Sequence, residues 1–196
     1  MLPFFSLHAF LISTGLVAIA EIGDKTQLLA LLLAVKFRKP WAIVAGMLTA
    51  TLANHAGAGL VGHYLETLIM GWGGPQALRW GLAFGFAAMA VWALIPDKIE
   101  DEQQSLARSQ MGAFLTTVVS FFLVEMGDKT QVATVALAAR FPDLVSVVAG
   151  TTFGMALANA PVIFLCDAIA ARLPLRYVRW SAAACFAGLA VGAVLI

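Results

Sequence analysis

Two short stretches of this sequence each combine two carboxylates, an ammonium group and an amide within seven residues. Residues 21–27 read Glu-Ile-Gly-Asp-Lys-Thr-Gln and residues 125–131 read Glu-Met-Gly-Asp-Lys-Thr-Gln, so six of the seven positions are identical at an offset of 104. Each copy lies inside an apolar run, where ionisable groups are costly and mark functional sites by default. We therefore predict that the two motif copies carry the chemistry of this protein.

The carboxylates of the two copies are the candidate metal ligands: Glu21, Asp24, Glu125 and Asp128. On a continuous helix, the Glu and the Asp of one copy would project about 60° apart, from the same face. Carboxylate oxygens suit hard cations such as Mg²⁺, Ca²⁺ and Mn²⁺. The motif contains neither Cys nor His, which argues against a dedicated Zn²⁺ or Cu⁺ site. Because crowded carboxylates also take up protons, exchange of a metal ion for protons is the simplest coupling.

Other residues of the motif are weaker candidates for the same site. Gln27 and Gln131 extend the polar stripe, either as ligands or as groups that hold the ligands. Lys25 and Lys129 either balance the carboxylate charges or take part directly. On a continuous helix, Lys25 would lie within reach of Glu21 and form a pair inside that helix.

Two asparagines, Asn54 and Asn159, occupy matching positions after the two motif copies. Each precedes a sequence that weakens helices, Gly-Ala-Gly at 57–59 in one case and Pro161 in the other. We expect either broken helices whose freed carbonyls bind a cation or plain hydrogen bonds between helices. His55 has no histidine counterpart in the second half, so a local role is expected for it.

The composition shows which elements must position these residues. Of the 196 residues, 61% are hydrophobic and only 12% are charged, and the mean hydropathy is +0.90. Soluble domains carry about 25% charged residues, so we predict an all-α polytopic membrane protein in a lipid bilayer. The net charge of +1 gives no indication of a nucleic-acid partner. No nucleotide fingerprint or nucleophile motif is present, so we predict neither an enzyme nor a prosthetic group.

Six transmembrane helices are predicted, at about 6–35, 41–68, 78–95, 111–139, 144–171 and 177–196. About 20 residues cross the hydrocarbon core, so we expect the longer first, second, fourth and fifth segments to tilt, kink or break. Gly-Trp-Gly-Gly-Pro at residues 71–75 is expected to end the second segment.

The repetition extends beyond the motif and divides the chain into two halves. Ala45-Gly46 recurs as Ala149-Gly150 at the same offset. We predict a three-helix repeat at 1–95, an acidic cytoplasmic loop at 96–110 and a second three-helix repeat at 111–196. An odd number of crossings per repeat inverts the second relative to the first, as in secondary transporters whose substrate site lies at the repeat interface near the midplane.

The basic residues predict the orientation of the chain. Arg79 and Arg140 alone fall on one side of the membrane, and the other side carries Lys36, Arg38, Lys39, Lys98, Arg108, Arg172, Arg176 and Arg179. Cytoplasmic loops carry the excess of basic residues. We therefore expect both termini outside and the loop 96–110 in the cytoplasm.

The doubled E-x-G-D-[KR]-[ST] motif resembles that of uncharacterised protein family sixteen, the family of bacterial manganese exporters and of Golgi calcium/manganese–proton exchangers. The resemblance covers essentially the whole chain. It implies a metal-binding role for Glu21, Asp24, Glu125 and Asp128 and the export of Mn²⁺, or Ca²⁺, in exchange for H⁺. The short chain is more similar to the bacterial branch, which implies the inner membrane.

Three other functions remain compatible with the sequence. The first is a divalent-cation channel that uses the same carboxylates as a selectivity ring. The second is an amino-acid exporter of similar size whose acids bind a basic substrate. The third is an assembly factor in which the acids form structural ion pairs. A homo-oligomer is also compatible with the sequence, which indicates no particular oligomeric state.

Overall fold

The computed structural model describes residues 5–95, 111–165 and 175–195, and the regular structure in these ranges is α-helical. The acidic loop 96–110 and the end of the predicted fifth segment lie outside the described residues. Seven helices follow one another in the described part: α1 (Leu7–Glu21), α2 (Lys25–Phe37), α3 (Pro40–Ala93), α4 (Ala113–Glu125), α5 (Lys129–Arg140), α6 (Leu144–Leu165) and α7 (Leu175–Leu195).

The distribution of polar and apolar side chains matches that of a membrane protein. Two helices, α3 and α6, are long and apolar enough to cross a membrane, and α1, α4 and part of α7 are shorter apolar helices. Large apolar side chains face outward, with Trp72 89% and Phe84 79% exposed, whereas Glu21 and Glu125 are fully buried. Lipid favours this arrangement, with apolar groups outside and ionisable groups inside.

The first and fourth predicted segments break inside the motif copies. Helix α1 ends and α2 begins within the first copy, and α4 and α5 are separated in the same way by the second. The expectation that these long segments would tilt, kink or break is confirmed, but the assumption of a continuous helix through each motif was wrong. The cause is the glycine: Gly23 has φ 80° and Gly127 has φ 75°, in the left-handed region where a Cβ is disfavoured.

The second predicted segment ends slightly later than expected. Helix α3 continues through residues 71–73, and the backbone leaves helical geometry only at Gly74, with φ 67°, immediately before Pro75. Beyond this kink α3 continues to Ala93 and so includes the third predicted segment. The Gly-rich stretch thus ends the first part of α3 at its last glycine.

Broken helices, one of the two alternatives for the sequences after the asparagines, are not found in α3 and α6. Helix α3 runs through 57–59 and α6 through Pro161 without interruption. The glycine at 59 has a packing role instead, because a Cβ there would lie 2.6 Å from Leu144 Cδ1. The glycine at 59 therefore indicates a close approach of α3 to α6 and not a broken helix.

The first helix of each half packs on a helix of the other half. A Cβ on Gly46 of α3 would lie 2.7 Å from the Phe114 carbonyl oxygen of α4. A Cβ on Gly150 of α6 would lie 2.5 Å from the Phe10 carbonyl oxygen of α1. Only glycine permits such contacts. Both partners of the second contact are related to those of the first by the offset of 104 that relates the motif copies.

Two apolar clusters hold the helices together. One joins α1, α5, α7 and the part of α3 after the kink, through side chains such as Leu82, Phe86, Leu137 and Phe186. The other joins α2, α4, α6 and the first part of α3, through side chains such as Leu33, Met47, Phe121 and Ile163. Each cluster contains helices of both halves, so neither half has an apolar core of its own.

Candidate cation site

Each motif copy forms a turn that joins the end of one helix to the start of the next. Glu21 is the last residue of α1, and Asp24 is the N-cap of α2 with φ −81° and ψ 167°. Asp128 has nearly the same conformation, φ −77° and ψ 164°, before α5. Helix N-termini favour negative charge, and the last carbonyls of a helix have no partners within it. Each break therefore presents a carboxylate and a helix end together.

The glutamines close these turns. Gln27 Oε1 accepts a hydrogen bond from the Gly23 N–H at 2.9 Å, and Gln131 Oε1 accepts one from the Gly127 N–H at 2.7 Å. Gln27 also donates from Nε2 to the Ala158 carbonyl of α6 at 2.9 Å. Their side-chain oxygens hold the backbone of the turn, which is the supporting role that the sequence left open for them.

Three of the four candidate carboxylates lie together. Oxygens of Glu21, Asp24 and Asp128 are all within 4.8 Å of one another, and we call these residues the carboxylate triad. The three residues are 0%, 5% and 3% exposed. Because like charges in a buried site repel, such a group requires cations or protons beside it. The triad draws ligands from both halves of the chain.

Not all of the buried oxygens at the triad have hydrogen-bond partners among the described residues. Glu21 Oε2 accepts from Thr26 Oγ1 at 2.5 Å and from Asn159 Nδ2 at 3.5 Å. Glu21 Oε1 and Asn159 Oδ1 have no such partner. Buried acceptors are rarely left unsatisfied. A cation in contact with the triad would satisfy both, so Asn159 is a candidate ligand through its oxygen.

The fourth carboxylate, Glu125, has a different environment. Its Oε1 accepts a hydrogen bond from Thr51 Oγ1 at 2.8 Å, and its Oε2 accepts one from Asn54 Nδ2 at 3.4 Å. Asn54 also donates to the Phe122 carbonyl at 3.0 Å. Asn54 therefore makes hydrogen bonds between helices, the second of the two expected roles. Glu125 is bound by neutral donors of α3 and does not belong to the triad.

The two lysines differ in exposure. Lys25 Nζ lies 3.0 Å from Asp128 Oδ1, and the Lys25 side chain is 24% exposed. Lys129 is buried, with 5% exposure. The sequence placed a partner for Lys25 inside its own helix, on the assumption of a continuous helix. Because the helix breaks at Gly23, the ammonium of Lys25 instead reaches a carboxylate of the other half.

Sequence reasoning gave no role in the site to Thr26 or Thr51, the hydroxyl donors to Glu21 and Glu125. Both had a signal in the sequence. Thr26 belongs to the repeated motif, and Thr51 precedes Asn54 by three residues, a spacing that places both on one helix face. His55, expected to have a local role, is buried, and neither ring nitrogen has a hydrogen-bond partner among the described residues.

Comparison with known proteins identifies the family. The family model described as divalent cation/proton antiporter GDT1 matches residues 9–101 and 113–195. A Vibrio cholerae protein named "Putative manganese exporter" is 46% identical over 169 residues, which cover 86% of this chain and 81% of that protein. A GDT1-like protein of Synechocystis is 27% identical over 146 residues, covering 68% and 71%.

A third relative, GDT1-like protein 5 of Arabidopsis thaliana, is 26% identical over 217 residues, covering 89% of this chain and 90% of that protein. No solved structure matches the chain. The comparisons confirm the resemblance drawn from the doubled motif and indicate a transporter family rather than an enzyme family. The chain belongs to the divalent cation/proton antiporter GDT1 family.

Proposed function

We propose that this protein exports Mn²⁺, or Ca²⁺, in exchange for H⁺, and that the carboxylate triad binds the transported cation. The observation that carries the proposal is the convergence of Glu21, Asp24 and Asp128 within 4.8 Å in a buried position. The family supplies the reaction class, and the name of the Vibrio cholerae relative supplies Mn²⁺.

The donor set fits a hard divalent cation. Ca²⁺ binds oxygens at about 2.3–2.6 Å, so two ligands on opposite sides of one ion lie about 5 Å apart. The 4.8 Å limit on the triad oxygens is within that span. The unpartnered oxygens Glu21 Oε1 and Asn159 Oδ1 add further acceptors. One ion could therefore contact ligands from both halves while the backbone stays in place.

We assign Glu125 to the proton. A carboxyl group alternates between an ionised and a protonated form, and burial favours the neutral one. Glu125 is fully buried, and its two oxygens accept from the neutral groups of Thr51 and Asn54. A proton on Glu125 when the triad is empty, and its loss when the cation enters, would couple the movement of the two ions.

The transport cycle that we propose is alternating access of two inverted halves, residues 1–95 and 111–196, with the loop 96–110 in the cytoplasm and both termini outside. The support for this cycle is a pair of hydrogen bonds that join the two halves. Asn54 of the first half donates to Glu125, and Asn159 of the second half donates to Glu21. Rocking of one half against the other would change both contacts at once.

The test is uptake of radioactive Mn²⁺ into inverted membrane vesicles, which present the cytoplasmic face outward. We expect saturable uptake that requires an acidic lumen and collapses with a protonophore. Glu21→Gln should abolish it at equal protein level, and Glu66→Gln, at a partly exposed position outside the triad, should retain it. Undiminished, proton-driven uptake by Glu21→Gln would overturn the proposal.

The same vesicles distinguish the alternatives. A divalent-cation channel would equilibrate Mn²⁺ without requiring a proton gradient. An amino-acid exporter would accumulate lysine rather than Mn²⁺. An assembly factor would show neither flux. The family assignment favours the antiporter over all three.

A further inference from the structure

Lys25 connects the two motif copies through an ion pair. The residue begins α2 in the first half, and its Nζ lies 3.0 Å from Asp128 Oδ1 in the second. Asp128 is also a member of the carboxylate triad. The ammonium therefore contacts one of the oxygens that we assign to the transported cation.

The charge of the triad explains why the Lys25 ammonium lies beside it. Three carboxylates from both halves lie within 4.8 Å of one another and are almost completely buried. In the low dielectric of such a site their repulsion is strong, and a neighbouring positive charge offsets it. An ammonium at 3.0 Å from Asp128 supplies that charge within the protein itself.

The ammonium and a divalent cation would compete for this position. A cation bound at about 2.0–2.6 Å from Asp128 Oδ1 would lie close to a positive nitrogen that shares the same oxygen. Two positive groups so near each other repel, because little solvent separates them. Binding of the metal ion therefore favours departure of the ammonium, and departure of the ion favours its return.

The two partners differ in their freedom to move. The Lys25 side chain is 24% exposed, whereas the Asp128 side chain is 3% exposed. Lysine has a flexible four-carbon stem and a strongly hydrated head group. The ammonium can therefore retreat toward its exposed side, and the carboxylate stays in the buried site.

We propose that Lys25 is a tethered competitor of the transported cation, whose ammonium occupies the triad in the cation-free state and withdraws when the metal ion binds. This inference rests on the proposed function, because it assumes that the triad is the cation site. It assigns Lys25 a role that Lys129 does not share, since Lys129 is buried at 5% exposure and lacks the same freedom to withdraw. The competitor weakens binding and thereby helps the ion to leave.

The test is a titration of the purified protein with Mn²⁺, with the free ion followed by its electron paramagnetic resonance signal. An internal competitor raises the apparent dissociation constant by the inverse of the fraction of sites it leaves open. If the pair is closed nine-tenths of the time, Lys25→Gln should bind Mn²⁺ about tenfold more tightly than the wild type. Lys25→Arg, which keeps the charge, should remain near the wild-type affinity.

Transport supplies a second readout. In vesicles, Lys25→Gln should show a lower KM and a lower maximal rate, because the ion binds more tightly and leaves more slowly. A merely structural lysine would not produce that combination, since its loss would raise KM or reduce the amount of folded protein. Lys36→Gln, at the exposed far end of the same helix, is the matched control and should change neither constant.

The outcomes separate this inference from the proposed function. If the wild type binds Mn²⁺ and Lys25→Gln binds with equal or lower affinity, the competitor is excluded and the cation site stands. If the wild type shows no Mn²⁺ binding, the cation site and the competitor both fail. Lys25→Met provides a second neutral variant should Lys25→Gln not yield a monodisperse protein, and it carries the same expectation.

Discussion

The two motif copies form the same turn but have different surroundings. In each copy a glycine has φ between 75° and 80°, and an Asp occupies the N-cap position of the following helix with nearly identical angles. The first copy contributes Glu21 to the triad, with one oxygen unpartnered among the described residues. The second holds Glu125 by hydrogen bonds to both of its oxygens.

The difference arises from the helix of the opposite half that faces each glutamate. Glu125 faces α3, where Thr51 and Asn54 both donate to it. Glu21 faces α6, where Asn159 matches Asn54 but Ala156 stands in place of Thr51. The motif therefore encodes the turn, and the partner helix decides which glutamate keeps an oxygen without a hydrogen-bond partner among the described residues.

The largest effect should come from replacing each glutamate with glutamine, one at a time. Glu21→Gln removes one of the three charged ligands, so the affinity for Mn²⁺ should fall about a hundredfold, equivalent to ~2.7 kcal/mol. Glu125→Gln, whose neutral amide resembles the protonated glutamate, should weaken Mn²⁺ binding to the purified protein by about tenfold at most and should abolish proton-driven uptake into vesicles. The two substitutions are chemically identical and serve as controls for each other.

An equal loss of binding in both variants would contradict this division of roles. It would mean that four carboxylates form a single site, as the sequence alone led us to expect. The structure brings three of them together, whereas Glu125 at the end of α4 accepts hydrogen bonds from α3. The pair of titrations therefore tests the structural difference directly.

Much of this arrangement could be predicted from the sequence. The repeated Glu and Asp marked the candidate site, because charged residues are rare in apolar segments and a precise repeat rarely arises by chance. Within the described residues the predicted apolar segments coincide with helices, apart from the breaks at Gly23 and Gly127 and the later end of the second segment at Gly74. These features are properties of the chain itself and require no knowledge of which helices touch.

The remainder depended on tertiary structure. Gly23 and Gly127 were interpreted as small residues for close helix packing, yet a Cβ at Gly127 would meet no atom within 4 Å. Their positive φ is what matters, and a single sequence does not distinguish the two uses of glycine. The partner of Lys25 was also unpredictable, because it lies on the other half, 103 residues away.

The next largest effect should come from Thr51, the donor that distinguishes the two glutamates. Thr51→Val removes the 2.8 Å hydrogen bond to Glu125 Oε1. A hydrogen bond to a charged group contributes about 1.5–3 kcal/mol, so proton-driven Mn²⁺ uptake should fall at least about tenfold. Mn²⁺ binding to the purified protein should change little, because the Thr51 hydroxyl donates to Glu125, which is not a member of the triad.

Thr49→Val is the matched control for Thr51→Val. Thr49 lies on the same helix and is exposed, and its hydroxyl donates a hydrogen bond to the Ala45 carbonyl of its own helix. Uptake by this variant should equal that of the wild type. If both valine variants lose uptake equally, the hydroxyl of Thr51 has no special relation to Glu125.

The turn that the copies share should respond equally to substitution in either copy. Gly23→Ala and Gly127→Ala place a Cβ at φ 80° and φ 75°, which costs about 1–2 kcal/mol per residue. Both variants should show a lower Tm in detergent by a similar amount. Gly15→Ala, in an open position inside α1, should not be destabilised, since alanine favours helix more than glycine does.

The smallest effect concerns the starts of α3 and α6, where the halves also differ. Lys39 precedes α3 and makes no side-chain cap. Asp143 precedes α6 and accepts hydrogen bonds from the Ser146 N–H at 3.1 Å, from Ser146 Oγ at 2.6 Å and from the Ser6 N–H at 2.5 Å. Its carboxylate thus ties the start of α1 to the start of α6.

Partial burial acts to raise the pKa of Asp143, but the hydrogen bonds from Ser146 and Ser6 outweigh it and hold the pKa below its ordinary value of 3.8. A carboxyl with a lowered pKa in the folded state stabilises the protein above its ordinary pKa, and this contribution is lost as the pH falls through the folded value. Asp143→Asn keeps a capping oxygen but not the charge, so it should cost at most about 1 kcal/mol at neutral pH. The Tm difference from the wild type should shrink as the pH falls from 3.8 through the lowered pKa of the folded state, because the wild-type carboxyl then becomes protonated as well. A difference that stays constant with pH would show that the cap geometry matters and the charge does not.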